Sequence, residues 1–397
     1  MNVLILASSY ANPYNPLSAP FFRDHAFSLK KVGHNVTVIA VVPISVKEIV
    51  RRRKITFGLT RYCDEGVDTL LYLFPAVPKC DAMNSRLRRL FGWRVYKRVP
   101  SILERADVLH VHGFAAGTIA LQFHRQFRIP FVLTEHSSGF ARDNLSLSQQ
   151  RLAGVVFRRA AVATAVSQDF CALLKRLYDV PFEFVPNPVE LPKESQFERS
   201  PTALAKQPDS ISLLNVAFLD ANKRQDRLIN AVRRLIDRGV CVDLHIVGDG
   251  LQMGRLVALT HALHISDHVV FHGRLPRMKV FSLMRAVDAF ALTSDYETFG
   301  VVVVEAMASG LPVVATRCGG PESIIEADWM GELAERDVPE VTEALLTLIR
   351  KLRGGEYNPE RISRHAREVY SYEAVGRRMT QIYSRVLSGT DRPPLDQ

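Results

Sequence analysis

At 397 residues, 47% of them apolar, the chain is too long for one ordinary core and suits two domains of similar size. Its net charge of +10 belongs to the first half, because residues 1–190 carry 25 Lys and Arg against 14 Asp and Glu while the remainder carries 26 against 27. Five scattered cysteines with no C-x-x-C pair exclude a disulfide framework and a cysteine zinc site and point to a reducing cytoplasm, and no apolar run approaches the roughly 20 residues that span a bilayer.

The opening Val3–Ala7 reads as a first strand, without the basic start and long apolar core of a signal peptide. A loop from Asn12 to Phe22 leads to a helical pattern over Phe21–Lys31, closed by Gly33, and then to a second β-branched run, Val36–Val42. Two basic stretches follow. Arg51–Lys54 is a charge run and, with the stretch after it, the expected contact for an anionic membrane surface. Arg86, Arg88, Arg89, Arg94, Lys97 and Arg98 alternate with Leu87, Leu90, Phe91, Trp93, Val95 and Tyr96, a pattern that fits either a basic amphipathic helix on an anionic membrane surface or an ordinary solvated helix face. No nucleic-acid motif accompanies the charge.

Strand patterns recur at Val108–His112, Phe131–Thr134, Val162–Val166 and Phe182–Val185, and Asn187-Pro188 stops them. This β-α-β rhythm predicts a parallel sheet covered on both faces, a Rossmann-like domain over 1–190. A Pro- and Ser-rich linker is expected over 191–210. The rhythm restarts at Ser212–Ala217, Asp243–Val247, Val269–His272, Ala289–Leu292 and Val313–Ala315, predicting a second such domain over 211–371. A terminal helix over 372–388 and a disordered tail over 389–397 complete the expectation.

The chemistry concentrates at Ser294-Asp295-Tyr296-Glu297-Thr298-Phe299-Gly300 and the following Glu305-Ala306-Met307-Ala308-Ser309-Gly310. Glu297 and Glu305, with seven residues between them, flank a strand-to-helix turn whose unpaired backbone N–H groups suit phosphate. Acceptors at both ends and an electropositive middle outline a sugar, a diphosphate and a ribose, although two Glu at this spacing also occur on a solvated helix face. Gly248-Asp249-Gly250 ends a strand in a turn that would let a base or ribose approach the backbone, or is simply a turn. In the first half, His136 and Ser137 follow a buried strand, and His110 and His112 alternate on another. With no carboxylate or cysteine near His110 and His112 in sequence, their spacing is not expected to mark a metal site.

The whole string E-T-F-G-x4-E-A-M-A-S-G-x-P, followed by Gly319-Gly320-Pro321-Glu322, resembles the signature of the retaining glycosyltransferases of family 4, and the resemblance runs from Met1 to about Leu387. It implies the GT-B fold, two Rossmann-like doubly wound parallel-sheet domains facing a central cleft, with the terminal helix crossing back to the first domain. It further implies that Glu297 accepts hydrogen bonds from the donor sugar, that the Phe299-Gly300 backbone borders that sugar, that Glu305 binds the ribose, that Lys223 contacts the diphosphate and that His136 is the functional histidine. His112, Ser137, Ser18 and Ala19 are expected to line the cleft on the acceptor side, with His110 structural.

This sequence departs from the family at Ala217-Phe218, where Gly-Arg is usual, and at Ala19, where glycine is common; Arg224 is the neighbouring cation available to substitute. The absence of any Asp-x-Asp sequence agrees with chemistry that needs no cofactor and no metal. The expected partners are a nucleotide-sugar donor and a glycan or lipid-linked acceptor, in surface polysaccharide or glycolipid assembly. Two alternatives remain on the same fold: a nucleotide-sugar epimerase or hydrolase, and a non-catalytic nucleotide-sugar-binding protein. Base and sugar are not legible, because such pockets read them through loop shape.

Overall fold

A computed structural model of the chain describes residues 1–12, 14–15, 18–52, 54–192 and 210–389. Most of the expected linker, nearly all of the expected tail, and Arg53, Pro13, Pro16 and Leu17 therefore lie outside the described residues. The chain forms two compact units, Met1–Pro188 together with the chain from Ser371, and Val189–Tyr370. Among the described residues no helix is long and apolar enough to cross a membrane.

The first unit is built on eight strands: β1 (Asn2–Ala7), β2 (Asn35–Ile44), β3 (Gly58–Asp64), β4 (Val67–Pro75), β5 (Val108–His112), β6 (Phe131–Glu135), β7 (Val162–Ala165) and β8 (Glu183–Phe184). Their order is β3-β4-β2-β1-β5-β6-β7-β8, parallel except for the antiparallel β3–β4 pair. β1, β5 and β6 are almost wholly buried, as strands covered on both faces must be, and they are mostly apolar for that reason, with His110, His112, Thr134 and Glu135 the buried polar exceptions. The β3–β4 hairpin is absent from the sequence expectation. Its two-residue turn is Glu65-Gly66, both with positive φ (47° and 83°), so a glutamate stands where Asn or Asp gives the usual signal.

Ser371 caps the last helix, Tyr372–Ser388, by accepting the Ala374 N–H, and this helix completes the first unit rather than the second. Gly376 lets it approach the helix Pro20–Lys31 closely, since a Cβ there would lie 2.5 Å from Ser28 O. Met379, Ile382, Tyr383 and Val386 join the core beneath β1 and β2. In the helix Asp81–Arg98, one of the six basic residues turns inward. Arg88 is buried and donates to the carbonyls of Val41 and Ala115, with burial pushing its pKa down to about 10. Phe91 stacks on Tyr72 at 4.7 Å, and Trp93 and Tyr96 pack on Phe127. The helix spends its aromatic residues on the unit's own interior, so they do not form a free apolar face; Arg86, Arg89, Arg94, Lys97 and Arg98 remain exposed.

The second unit has six parallel strands, β9 (Ile211–Val216), β10 (Val242–Val247), β11 (Val269–Gly273), β12 (Ala289–Leu292), β13 (Val313–Thr316) and β14 (Gly331–Ala334), in the order β11-β10-β9-β12-β13-β14. β14 was not expected, because Gly331 and Glu332 break its apolar run. The order reverses between β9 and β12, which sets the crevice at their carboxyl ends.

Candidate active site

In the second unit, the segment after β9 is strapped onto the segment after β12. Asn222 O accepts from Asp295 N (2.8 Å), Asn222 Nδ2 donates to Tyr296 O (3.0 Å) and Thr293 Oγ1 donates to Arg224 O (3.0 Å). This brings Lys223 and Glu297 together although 74 positions separate them. Lys223 Nζ lies 2.6 Å from Glu297 Oε1, which also accepts from Ser294 Oγ at 2.7 Å. The backbone of Glu297 is itself fixed, donating to Cys318 O and accepting from Gly320 N. Gly320 has no room for a side chain, as a Cβ would fall 2.1 Å from Phe299 O.

Gly300 (φ 102°) turns the chain into the helix Val301–Ala308, whose first N–H groups have no intrahelical acceptor. Phe299 points inward and is buried against Tyr370, leaving only its backbone near the helix start. Glu305 lies on the second turn, and Arg277 donates to its Oε1 from Nε (3.1 Å) and Nη2 (2.9 Å) while also bonding the Glu190 carboxylate (2.8 Å). Burial raises the Glu305 pKa above its ordinary value; Arg277 opposes that shift and Glu190 adds to it. Arg277 was not singled out in the sequence, where it is one of many surface arginines.

On the donor side, Arg224, the cation next to Lys223, has its guanidinium engaged by Asp226 (3.0 Å) and Asp295 (3.3 Å) along a cavity of about 320 Å³. The glycines of Gly248-Asp249-Gly250 let this turn pack closely against the chain after β9. A Cβ on Gly248 (φ 142°) would meet Ala217 O at 1.8 Å, and one on Gly250 would meet Leu219 O at 2.3 Å. Asp249 caps the turn by accepting Gly250 N. Phe218, in place of the usual arginine, is 61% exposed.

In the first unit, the ends of β5 and β6 carry a run of buried polar groups. Thr164 Oγ1 donates to Leu133 O and so accepts from Thr134 Oγ1, which in turn accepts from His110 Nε2; Tyr383 Oη must then donate to His110 Nδ1 at 2.7 Å. His110 is thereby a neutral, structural imidazole. His112 is fully buried as well, which corrects its expected place lining the cleft. It sits behind His136, with its Nδ1 3.1 Å from His136 Nε2. His136 is 7% exposed, stacked on Phe21 at 4.9 Å and edge-on to Phe22 at 5.0 Å. Burial drives the pKa of both imidazoles well below the ordinary value, so they are uncharged.

Glu135, missed in the sequence, fixes this loop. Its buried carboxylate accepts the N–H groups of Phe114 (2.8 Å), His136 (3.0 Å) and Ser137 (2.9 Å). A carboxylate closing an otherwise apolar strand was the available signal. Ser137 Oγ accepts from Gly139 N, and Ser18 Oγ pairs with Ser9 Oγ at 2.6 Å. Ala19 caps the helix Pro20–Lys31 in the left-handed conformation (φ 46°), which is where glycine avoids a strain of about 1–2 kcal/mol.

Two doubly wound parallel-sheet units, one carrying a lysine-carboxylate pair at a helix start, define a GT-B glycosyltransferase. Residues 21–193 match the family model Glycosyltransferase Family 4 and residues 196–369 match Glycosyl transferases group 1. The chain belongs to the family 4 glycosyltransferases. It is 28% identical over 298 residues to N-acetyl-alpha-D-glucosaminyl L-malate synthase of Bacillus anthracis, covering 72% of this chain and 76% of that one. Sucrose-phosphate synthase of Thermosynechococcus elongatus shares the fold with a TM-score of 0.74 at 16% identity, over 98% of this chain and 100% of that one. HepE of Anabaena, in complex with UDP, does so with a TM-score of 0.70 at 18% identity, over 97% and 100%.

Proposed function

We propose that this glycosyltransferase moves a sugar from a nucleoside-diphosphate sugar to a hydroxyl acceptor, with retention of configuration and without a divalent metal on the diphosphate. The observation that carries the reading is the pairing of Lys223 with Glu297 beside the start of the helix Val301–Ala308. An ammonium and unpaired helix N–H groups are oriented before the nucleotide leaves, which is where charge develops. Glu305 offers two acceptor oxygens for ribose hydroxyls, and Glu297 offers the same to the sugar. The departing phosphate oxygen takes the acceptor's proton, so no carboxylate nucleophile is required, and His136 acts at the sugar. The UDP held by HepE and the glucosaminyl product named for the Bacillus relative support UDP-sugars as the first donors to try.

The acceptor is anionic or lipid-linked in this reading, as in surface polysaccharide or glycolipid assembly at the inner face of the cytoplasmic membrane. The exposed Arg86, Arg89, Arg94, Lys97 and Arg98 support it.

Thermal unfolding of wild type and Glu305→Ala with UDP, GDP, ADP and their sugar conjugates tests the donor site. A ligand at 100 times its Kd adds about 2.7 kcal/mol, a shift of a few degrees. One base stabilising wild type and much less the variant is expected; no response to any base at millimolar concentration overturns the reading. Product NMR then decides the anomeric configuration, and unchanged turnover on adding millimolar Mg2+ or Mn2+ is expected.

A further inference from the structure

Three histidines from distant parts of the first unit converge in its interior: His25 from the helix Pro20–Lys31, His112 from the end of β5 and His136 from just beyond β6. One ring nitrogen of each lies within 4.8 Å of the others. The ring centres are 4.7 Å apart for His25–His112, 5.3 Å for His112–His136 and 5.6 Å for His25–His136. Imidazoles bound tetrahedrally to one zinc ion at 2.0–2.1 Å hold their ring centres about 5 Å apart and their ligating nitrogens about 3.4 Å apart. The facing His112 Nδ1 and His136 Nε2 are 3.1 Å apart.

The hydrogen bonding of this cluster is incomplete. Both ring nitrogens of His25 are buried with no partner, as are His112 Nε2 and His136 Nδ1. His25 is fully buried and pairs with no carboxylate or backbone carbonyl. A buried neutral imidazole carries one donor and one acceptor that ordinarily find partners. His110, one turn of the strand away, shows how this unit satisfies a structural histidine, through Thr134 and Tyr383. Asn187, 4% exposed, adds a buried Oδ1 that also lacks a partner, and its side chain lies beside His25 and His136.

We infer that His25, His112 and His136 form a binding site for a divalent transition-metal ion of the zinc class, with Asn187 Oδ1 as the oxygen available at the fourth position. The donor set selects the class. Imidazole nitrogens with no thiolate suit Zn2+, Co2+, Ni2+ or Cu2+ and not Mg2+ or Ca2+. Uncharged imidazoles coordinate through lone pairs without losing a proton, so binding requires no co-reactant. Coordination would take up the facing nitrogens His112 Nδ1 and His136 Nε2, one nitrogen of His25 and Asn187 Oδ1, with the remaining protons on His112 Nε2 and His136 Nδ1. The site shares His136 with the glycosyl-transfer reading but does not rest on it, since its test reads metal content and not transfer.

The test is the metal content of the full chain, freed of any purification tag, by mass spectrometry, alongside His25→Ala and the control His245→Ala. His245 belongs to another buried histidine pair, with His272 at 3.0 Å, and joins no third ligand among the described residues. About one equivalent of zinc in wild type and control, and a small fraction of that in His25→Ala, is expected. Competition with a chromophoric chelator should give a Kd weakened at least about 100-fold by His25→Ala. If that variant fails to fold, Co2+ loading of wild type decides: intense visible bands of a tetrahedral nitrogen site support the inference. Wild type that is isolated without metal and takes up neither Zn2+ nor Co2+ at micromolar concentration overturns it, and so does metal retained at full stoichiometry in a folded His25→Ala.

Discussion

Lys223 Nζ and Glu297 Oε1 lie 2.6 Å apart, so the cation assigned to the diphosphate and the carboxylate assigned to the sugar are bonded to each other. Both side chains are largely shielded, at 21% and 14% exposure, which keeps the pair from being an ordinary screened surface contact. Lys223→Met should weaken binding of the stabilising nucleoside diphosphate by about 1.5–3 kcal/mol, while Glu297→Gln lowers kcat more than affinity. A double-mutant cycle on calorimetric binding should give a coupling of about 1 kcal/mol. Strict additivity would mean that the pair does not act as a unit.

Glu135 holds three backbone donors from inside the protein. Truncation to alanine strands all of them, so Glu135→Ala should destabilise the chain by about 3 kcal/mol or more, and Glu135→Gln by less, in urea unfolding. A loss below about 1 kcal/mol for the alanine variant would show that the loop carrying His136 is fixed by other contacts.

Glu305 gives the donor site a pH dependence. Burial raises its pKa above 4.5, so the folded chain binds a proton there that the unfolded chain has released, and this group's contribution to stability falls as pH rises through that window. Nucleotide affinity runs the other way. The carboxylate is the better ribose acceptor, so affinity should weaken as pH falls through the raised pKa. Isothermal titration across that range checks this, with Glu305→Gln as the control that removes the dependence while leaving the phosphate's own titration in place.

Gly248→Ala would drive a methyl group into Ala217 O in a backbone conformation that L-residues avoid. A destabilisation of about 2–4 kcal/mol is expected by calorimetry. A neutral outcome would show that the turn relaxes and that the approach of the two loops is not required.

Tyr383→Phe removes the only proton that reaches His110 Nδ1 and leaves a buried acceptor unpaired. A cost of about 1–2 kcal/mol is expected. His110→Phe with Tyr383→Phe should lose less than the sum of the single changes, since the second partner has nothing left to satisfy.

The strands on both faces of which helices pack were legible because burial on both sides demands mostly apolar residues, as in β1 and β12 and in the Val, Leu and Phe positions of β5 and β6. Glu297 and Glu305 were legible for a related reason: their spacing places them about one strand-to-helix turn apart wherever the rest of the chain lies. The Glu65-Gly66 hairpin and β14 were not, since each departs from the usual residues of its element and is stabilised by its neighbour in the sheet. What Arg224 and Arg88 bond to, which backbone Gly248 and Gly250 pack against, and the meeting of His25, His112 and His136 were decided by tertiary structure alone. Local periodicity fixes which way a side chain points from its own element. Its partners come from segments tens to hundreds of positions away, and only the strapping of loop 220–224 onto 293–296, or of the helix from Tyr372 onto the first unit, brings them within bonding distance.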